Sequence, residues 1–212
     1  MLLFTNEAYR TTASGAPQPV RQPNPETIPA EYRAWLGRIT PEDTVPQLKR
    51  FAEAGGTILA IGSSTALAGL LGVPVSDHLI KPTPDGGTTP LPRNDFYVPG
   101  SLIRVKVDTS HPLAHGMAAD ALVFFEDSPV FHLPASGVRQ VAGYSGTDLL
   151  ASGWAWGQEH LDGGAAVAEA KVGEGEVVLF GPEVAFRAQS HGTFKLLFNA
   201  IYFGTATSSV GP

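Results

Sequence analysis

Apolar positions fall along the chain in two rhythms. Val45, Leu48, Phe51 and Ala52 recur at helical spacing and stop at Gly55-Gly56, where glycine accepts the left-handed geometry of a helix C-terminus. Thr40-Pro41-Glu42-Asp43 predicts the start of that helix: a hydroxyl cap, a proline at the first helical position, acids at the positive end. Residues 57–61 (TILAI) are wholly apolar and predict a buried strand. Gly62-Ser63-Ser64 predicts a turn, and residues 65–71 another helix. Helix, paired glycines, apolar strand, tight turn and helix is the pattern of an α/β sheet with buried parallel strands. Residues 1–5 (MLLFT) predict one more buried strand, and a start inside a core strand suggests a piece cut from a longer chain. A short helix is predicted at 30–36.

The second half has the strand rhythm. Short strands are predicted at 102–107, 121–125, 130–133, 138–144 and 149–152, with turn residues between them. Residues 165–171 and 176–180 flank Gly173-Glu174-Gly175 as a hairpin. Phe194, Leu197, Phe198 and Ile201 form one core-facing helical stripe. Residues 11–30, rich in Pro, Gln, Ser and Thr, predict a mobile loop; residues 82–100 a second loop; residues 205–212 a frayed tail. The expected organisation is one domain over 1–204. Its expected fold is a three-layer α/β sandwich with a largely parallel central sheet and added strands in the second half.

Composition narrows the function classes. The chain of 212 residues has no Cys, so disulfides, thiolate metal sites and a cysteine nucleophile are excluded. Its 24 Gly and 18 Pro make a loop-rich chain, about a fifth of the residues, short of the disordered range. A net charge of −6 with no basic block argues against nucleic acid and anionic lipid as partners. Glu7 and Arg10 follow the first apolar residues too closely for a signal peptide, so no targeting segment is expected. The uncharged stretch 54–76 is broken by Ser63, Ser64, Thr65, several glycines and Pro74, and reads as strand, turn and helix rather than a membrane span.

Candidate chemistry lies at the ends of the predicted strands, where open α/β sheets bind ligands. At Ile61-Gly62-Ser63-Ser64, Ser63 or Ser64 either caps the next helix or serves as a nucleophile, although the turn departs from G-x-S-x-G. At Phe180-Gly181-Pro182-Glu183, Glu183 and Arg187 predict a helix-face ion pair; the alternative is a catalytic carboxylate orienting His191. Ser63, Ser64, Glu183 and Arg187 are also the candidate ligand-binding set. His111 and His115 have a metal-compatible spacing, but Pro112 and Gly116 oppose a helix across both, and Asp108-Thr-Ser-His-Pro reads as a turn; no metal site is expected. Gly173-x-Gly175 is no phosphate cradle, because no helix follows it. Trp154, Trp156, Phe124, Phe125, Phe131 and Tyr144 would suggest a carbohydrate or partner surface if exposed; a half-buried sheet edge is the plainer reading.

Two resemblances add to this. The stretch from Leu48 through Phe51-Ala-Glu-Ala-Gly-Gly-Thr57 to Gly62 resembles the strand leading to the nucleophile in class I glutamine amidotransferase-like domains, of flavodoxin-like architecture, and Phe180-Gly-Pro-Glu183 resembles their F-H-P-E segment. On that match Gly62 stands at the cysteine, Gly181 at the histidine, and only Glu183 keeps its type, which implies that glutamine hydrolysis by that route is lost. The phrases Ile28-Pro-Ala-Glu-Tyr-Arg-Ala-Trp-Leu-Gly-Arg-Ile-Thr40, Asp108-Thr-Ser-His-Pro-Leu-Ala-His-Gly-Met117, Leu150-Ala-Ser-Gly-Trp154 and Phe186-Arg-Ala-Gln-Ser-His-Gly-Thr-Phe-Lys-Leu-Leu-Phe-Asn199 resemble the C-terminal region of large bacterial zinc carboxypeptidases, where an amidotransferase-like domain follows the catalytic one. That resemblance implies a non-catalytic accessory domain of a secreted or periplasmic metallopeptidase. The parent catalytic domain would be its partner, and zinc would belong to that domain alone, because the H-x-x-E motif is absent here. The fold also resembles the trimerisation domain of some β-galactosidases, which implies a homo-oligomer. The rival expectations are a serine hydrolase using Ser63, His191 and Glu183, and a small-ligand or carbohydrate module in the same cleft.

Overall fold

The structure, a computed structural model, describes residues 1–11, 18 and 22–203. Residues 12–17 and 19–21 of the loop expected to be mobile over 11–30, and the tail over 205–212, lie outside the described residues. The strands are β1 Leu2–Phe4, β2 Thr57–Ile61, β3 Ser76–Asp77, β4 Ile80–Pro82, β5 Thr88–Pro90, β6 Ser101–Val107, β7 Asp120–Phe125, β8 Phe131–His132, β9 Val138–Gly143, β10 Leu150–Ser152, β11 Ala165–Val172 and β12 Gly175–Phe180. The α-helices are α1 Ala30–Arg33, α2 Thr44–Glu53, α3 Leu67–Leu70 and α4 Phe194–Phe203.

One mixed sheet runs β1-β2-β12-β11-β9-β6-β10, with β7 beside β6 and β8 bridging β11 and β3. The fold is α/β and three-layered. Along β2 and β12 alternate residues face opposite layers, because strand side chains alternate. Ile58, Ala60, Val177 and Leu179 pack with Val45, Leu48 and Ala52 of α2 and with Leu67 of α3. Leu59, Ile61, Val178 and Phe180 pack with Leu196 and Ala200 of α4 on the other face. Ile58 and Leu59 are fully buried, each contributing about 2 kcal/mol.

Among the described residues parallel pairing joins β1 to β2 and β2 to β12. The added strands of the second half join antiparallel, because β11 and β12 are linked by the Gly173 turn and cannot run the same way. β1 is an edge strand, with Leu3 exposed rather than buried, since only Leu2 and Phe4 face the α2 layer. The helix predicted from Pro41 begins at Thr44; Thr40 Oγ1 accepts from Asp43 N at 3.2 Å and so caps the preceding turn. Gly55 ends the helix at φ +97°, as predicted. Residues 82–100 contain a small hairpin, β4 with β5, rather than loop alone. In α4 the inward side is Leu196 and Ala200 with Leu197 and Ile201 beside them, while Phe198 is 55% exposed. Of the predicted stripe, Leu197 and Ile201 pack on the core, whereas Phe198 turns outward because the sheet accepts the side on which Leu196 and Ala200 lie. Among the described residues no helix is long and apolar enough to cross a membrane.

Candidate functional site

The parallel strands β2 and β12 end together. Ile61 pairs with Phe180, the last register pair, so Gly62 and Gly181 leave the sheet as neighbours. An open cleft of about 1440 Å³ lies over these ends, lined by Gly62, Ser63, Gly181, Glu183 and Arg187 among others. The resemblance expected a thiol and an imidazole at the two glycines. Space there is already taken. A Cβ on Gly62, whose φ is +58°, would lie 2.5 Å from Asn6 Oδ1, and a Cβ on Gly181 would overlap the main-chain oxygen of Pro129.

The N-terminal segment after β1 fills what a nucleophile would occupy. Asn6 Oδ1 accepts from Ser63 N at 2.9 Å, and its Nδ2 donates to Glu183 Oε1. Ser63 Oγ accepts from Glu7 N at 2.9 Å. Ser64 is fully buried; its Oγ donates to Thr5 O at 2.6 Å and accepts from Tyr9 N at 3.1 Å. Neither serine caps the following helical turn, where no side-chain cap bond forms. Both serines tie the N-terminal segment to the cleft floor. Asn6 was not singled out in the sequence. The signal lies in the register: with Phe4 opposite Ala60, two further residues bring Asn6 beside Gly62.

Glu183 is half-buried, and its backbone N donates to Phe124 O at 3.2 Å. Burial pushes its carboxyl above the ordinary glutamate value; Glu126 and Glu7 add to this, and the Asn6 hydrogen bond opposes it. The expected pairing with Arg187 does not form. Arg187 has φ +45°, so residues 183–187 are no helix, and its guanidinium lies 5.0 Å from the Phe186 ring centroid. Phe186 in turn stacks on Phe124, with centroids 4.9 Å apart. His191 is not brought to this cleft. It lines a separate hollow of about 420 Å³ with Phe124 and Ser190, and among the described residues no histidine lines the main cleft.

His111 is buried, with Nδ1 accepting from Leu113 N at 3.2 Å and Nε2 3.2 Å from Glu169 Oε2. Because Nδ1 accepts, the ring proton sits on Nε2 and is given to Glu169. Asp108 Oδ1 accepts from Ser110 N at 3.0 Å, the turn expected from the sequence. His115 packs against Phe203 instead. Among the described residues no three of His, Asp or Glu are grouped to hold a metal ion. Of the singled-out aromatics, Phe125, Phe131 and Tyr144 are buried, whereas Trp154 and Trp156 are exposed.

No family model matches the chain. No curated protein matches it either. Solved structures similar to it include amidotransferase-like and ThuA-like folds. A GMP synthase subunit from Thermoplasma acidophilum is 12% identical with a TM-score of 0.47, covering 76% of this chain and 63% of its own. The PurLQS structure from Thermotoga maritima is 11% identical with a TM-score of 0.46, covering 77% of this chain and 69% of its own. A β-galactosidase from Bacillus circulans sp. alkalophilus is 12% identical with a TM-score of 0.45, covering 77% of this chain. The chain spans 21% of the length of that β-galactosidase.

Proposed function

We propose that this chain is a non-catalytic accessory domain, with an amidotransferase-like cleft that serves packing or binding. One observation carries the reading: at the paired ends of β2 and β12 the two catalytic positions are glycines whose side-chain space is filled by Asn6 and by the Pro129 carbonyl. Nucleophilic catalysis needs an attacking atom and a base within hydrogen-bond reach. Here the Ser63 hydroxyl receives the Glu7 amide, and His191 belongs to another hollow. The resemblance of the four phrases supports a finer proposal: the domain accompanies the catalytic domain of a secreted zinc carboxypeptidase, and the zinc belongs to that domain.

Two experiments test this. The purified chain is incubated with a fluorophosphonate probe and, separately, with glutamine. We expect neither labelling nor ammonia release. Labelling abolished by Ser63→Ala would overturn the non-catalytic reading in favour of a serine hydrolase. The reading frame that encodes the chain tests the finer proposal: an H-x-x-E metallopeptidase domain upstream supports it, and a frame without one removes it.

A further inference from the structure

Both polar atoms of the Asn6 carboxamide are engaged by the cleft floor. Its Oδ1 accepts from Ser63 N at 2.9 Å, and its Nδ2 donates to Glu183 Oε1. The two partners are of opposite kind: a main-chain N–H only donates, and an ionised carboxylate only accepts. A group that spans them needs an acceptor atom and an N–H donor on one carbon. A carboxylate would satisfy Ser63 N but meet Glu183 with like charge. An ammonium or a guanidinium would satisfy Glu183 but offer no acceptor to Ser63 N. A primary carboxamide satisfies both. Room for it exists because residue 62 is glycine: an added Cβ would lie 2.5 Å from Asn6 Oδ1 and 2.7 Å from its Cγ. Asn6, Gly62, Ser63 and Glu183 all line the main cleft, and Asn6 is exposed, so the group lies at the solvent side of the floor rather than in the core. The main chain around it is held independently of its side chain. Glu7 N donates to Ser63 Oγ at 2.9 Å, Tyr9 N donates to Ser64 Oγ at 3.1 Å, and Ser64 Oγ donates to Thr5 O at 2.6 Å. Glu7 has φ +68°, a left-handed backbone that costs a non-glycine residue free energy and that concentrates at ligand clamps.

We propose, on the non-catalytic reading of the cleft, that its floor is a binding site for a primary carboxamide and that Asn6 fills this site as a tethered ligand that excludes others. Glu183 acts here as the acceptor for the ligand's N–H, not as the group that orients a base. A ligand held on a short tether competes at an effective concentration that is roughly millimolar or above. A free amide making the same two hydrogen bonds therefore meets a filled site in the wild type. Removing the tethered carboxamide, while Ser63 and Ser64 keep the segment in place, leaves a hole of the ligand's own shape. Asn6→Gly removes the heavy atoms of acetamide, and Asn6→Ala those of formamide. The same chemistry comes from two sources, the side chain of an asparagine or glutamine in a polypeptide and the free amino acid.

Chemical rescue of the whole chain tests this. Wild type, Asn6→Gly and Asn6→Ala are titrated above neutral pH, which keeps Glu183 ionised, with acetamide, formamide, N,N-dimethylacetamide and acetate. Tm and the Ser63 amide resonance are followed. Acetamide should raise the Tm of Asn6→Gly saturably, by about 3–5 °C at roughly ten times its dissociation constant, and should shift the Ser63 amide. Formamide should do the same for Asn6→Ala, which keeps the test open if the glycine variant does not fold. Neither amide should raise the Tm of the wild type. Dimethylacetamide has no N–H for Glu183 and acetate carries like charge, so both should leave the variants unmoved. No saturable rise in either variant, or a rise from dimethylacetamide as large as that from acetamide, would overturn the site. Tighter binding of L-glutamine than of acetamide to Asn6→Gly supports the site and assigns the free amino acid; equal or weaker binding supports it and assigns a polypeptide side chain. Ammonia released from bound acetamide would sink the non-catalytic reading and leave the site standing, whereas absent rescue sinks the site and leaves that reading untouched.

Discussion

Asn6 holds Glu183: its Nδ2 donates to Glu183 Oε1 while its Oδ1 accepts from the Ser63 amide. One short side chain thus joins the segment after β1, the turn after β2 and the turn after β12. Asn6→Ala removes both bonds. Loss of a net hydrogen bond costs about 1 kcal/mol, so a destabilisation of about 2 kcal/mol is expected for the two in urea denaturation. Because the Asn6 bond is what opposes burial at Glu183, the same variant should move the Glu183 carboxyl further upward, read by NMR titration. A carboxyl unmoved or lowered in Asn6→Ala would contradict this account of the cleft.

Glu183 and Glu169 should bend the pH dependence in opposite directions. The folded value of Glu183 is raised by burial and by Glu126 and Glu7. The folded state then holds its proton more tightly than the unfolded state, and this group's contribution falls as pH rises through the window above the ordinary glutamate value. Glu183→Gln should therefore stabilise the protein at neutral pH. Glu169 is also pushed up by burial, but the hydrogen bond from His111, with the charges of His111, Arg139 and Lys171, outweighs that and holds it below the ordinary value. Its contribution is complete above the ordinary glutamate value and is lost as pH falls through the lowered one. Glu169→Gln should cost about 2 kcal/mol at neutral pH, the scale of a charged hydrogen bond, and flatten the acid limb of a Tm-against-pH curve. An acid limb equally steep in wild type and variant would show that another group drives it.

Placing the cysteine and histidine of the resembled domains at Gly62 and Gly181 should not create activity. At Gly181 the obstacle is main chain, the Pro129 carbonyl; at Gly62 it is the end of the Asn6 side chain together with a positive φ. A side chain can rotate away and a main chain cannot, so Gly181→Ala should be the more damaging, about 3 kcal/mol against about 1–2 kcal/mol for Gly62→Ala. Gly62→Cys with Gly181→His should remain without glutaminase activity. Equal tolerance of both alanines, measured by denaturation, would mean that the cleft floor is looser than its packing implies.

What was legible in the sequence follows the strength of each local signal. The all-apolar run of β2 and its flanking glycines are dictated by burial on both faces and by backbone geometry, so its limits were readable to the residue. The helix of Phe194–Phe203 was legible as a helix but not in its facing, because nearly every position is apolar and only tertiary packing chooses among them. The ends of β2 and β12 could be named as the site, since each shows strand followed by turn. Their contents could not. Ser63 and Ser64 read equally well as caps, and what engages them is a segment nearly sixty residues away. Glu183 and Arg187 have ion-pair spacing only if the chain is helical there, and the left-handed backbone at Arg187 breaks that condition.

Ser64 offers the clearest separation between a structural hydroxyl and a reactive one. It is fully buried, donating to Thr5 O and accepting from Tyr9 N. Ser64→Ala leaves an acceptor and a donor unsatisfied, a cost of about 2 kcal/mol. That loss should be local before it is global, because β1 is an edge strand paired only with β2 along its length. Limited proteolysis should cut the variant within the first ten residues while the rest resists, and amide exchange should quicken at Tyr9 before it quickens in β2. A hydroxyl serving chemistry would show the reverse, with activity lost and the N-terminal segment as well protected as before. Ser64→Thr adds a methyl to a filled site and should fail in the same place, whereas Ser63→Ala, losing only the acceptor for Glu7 N at a partly exposed position, should leave the segment attached.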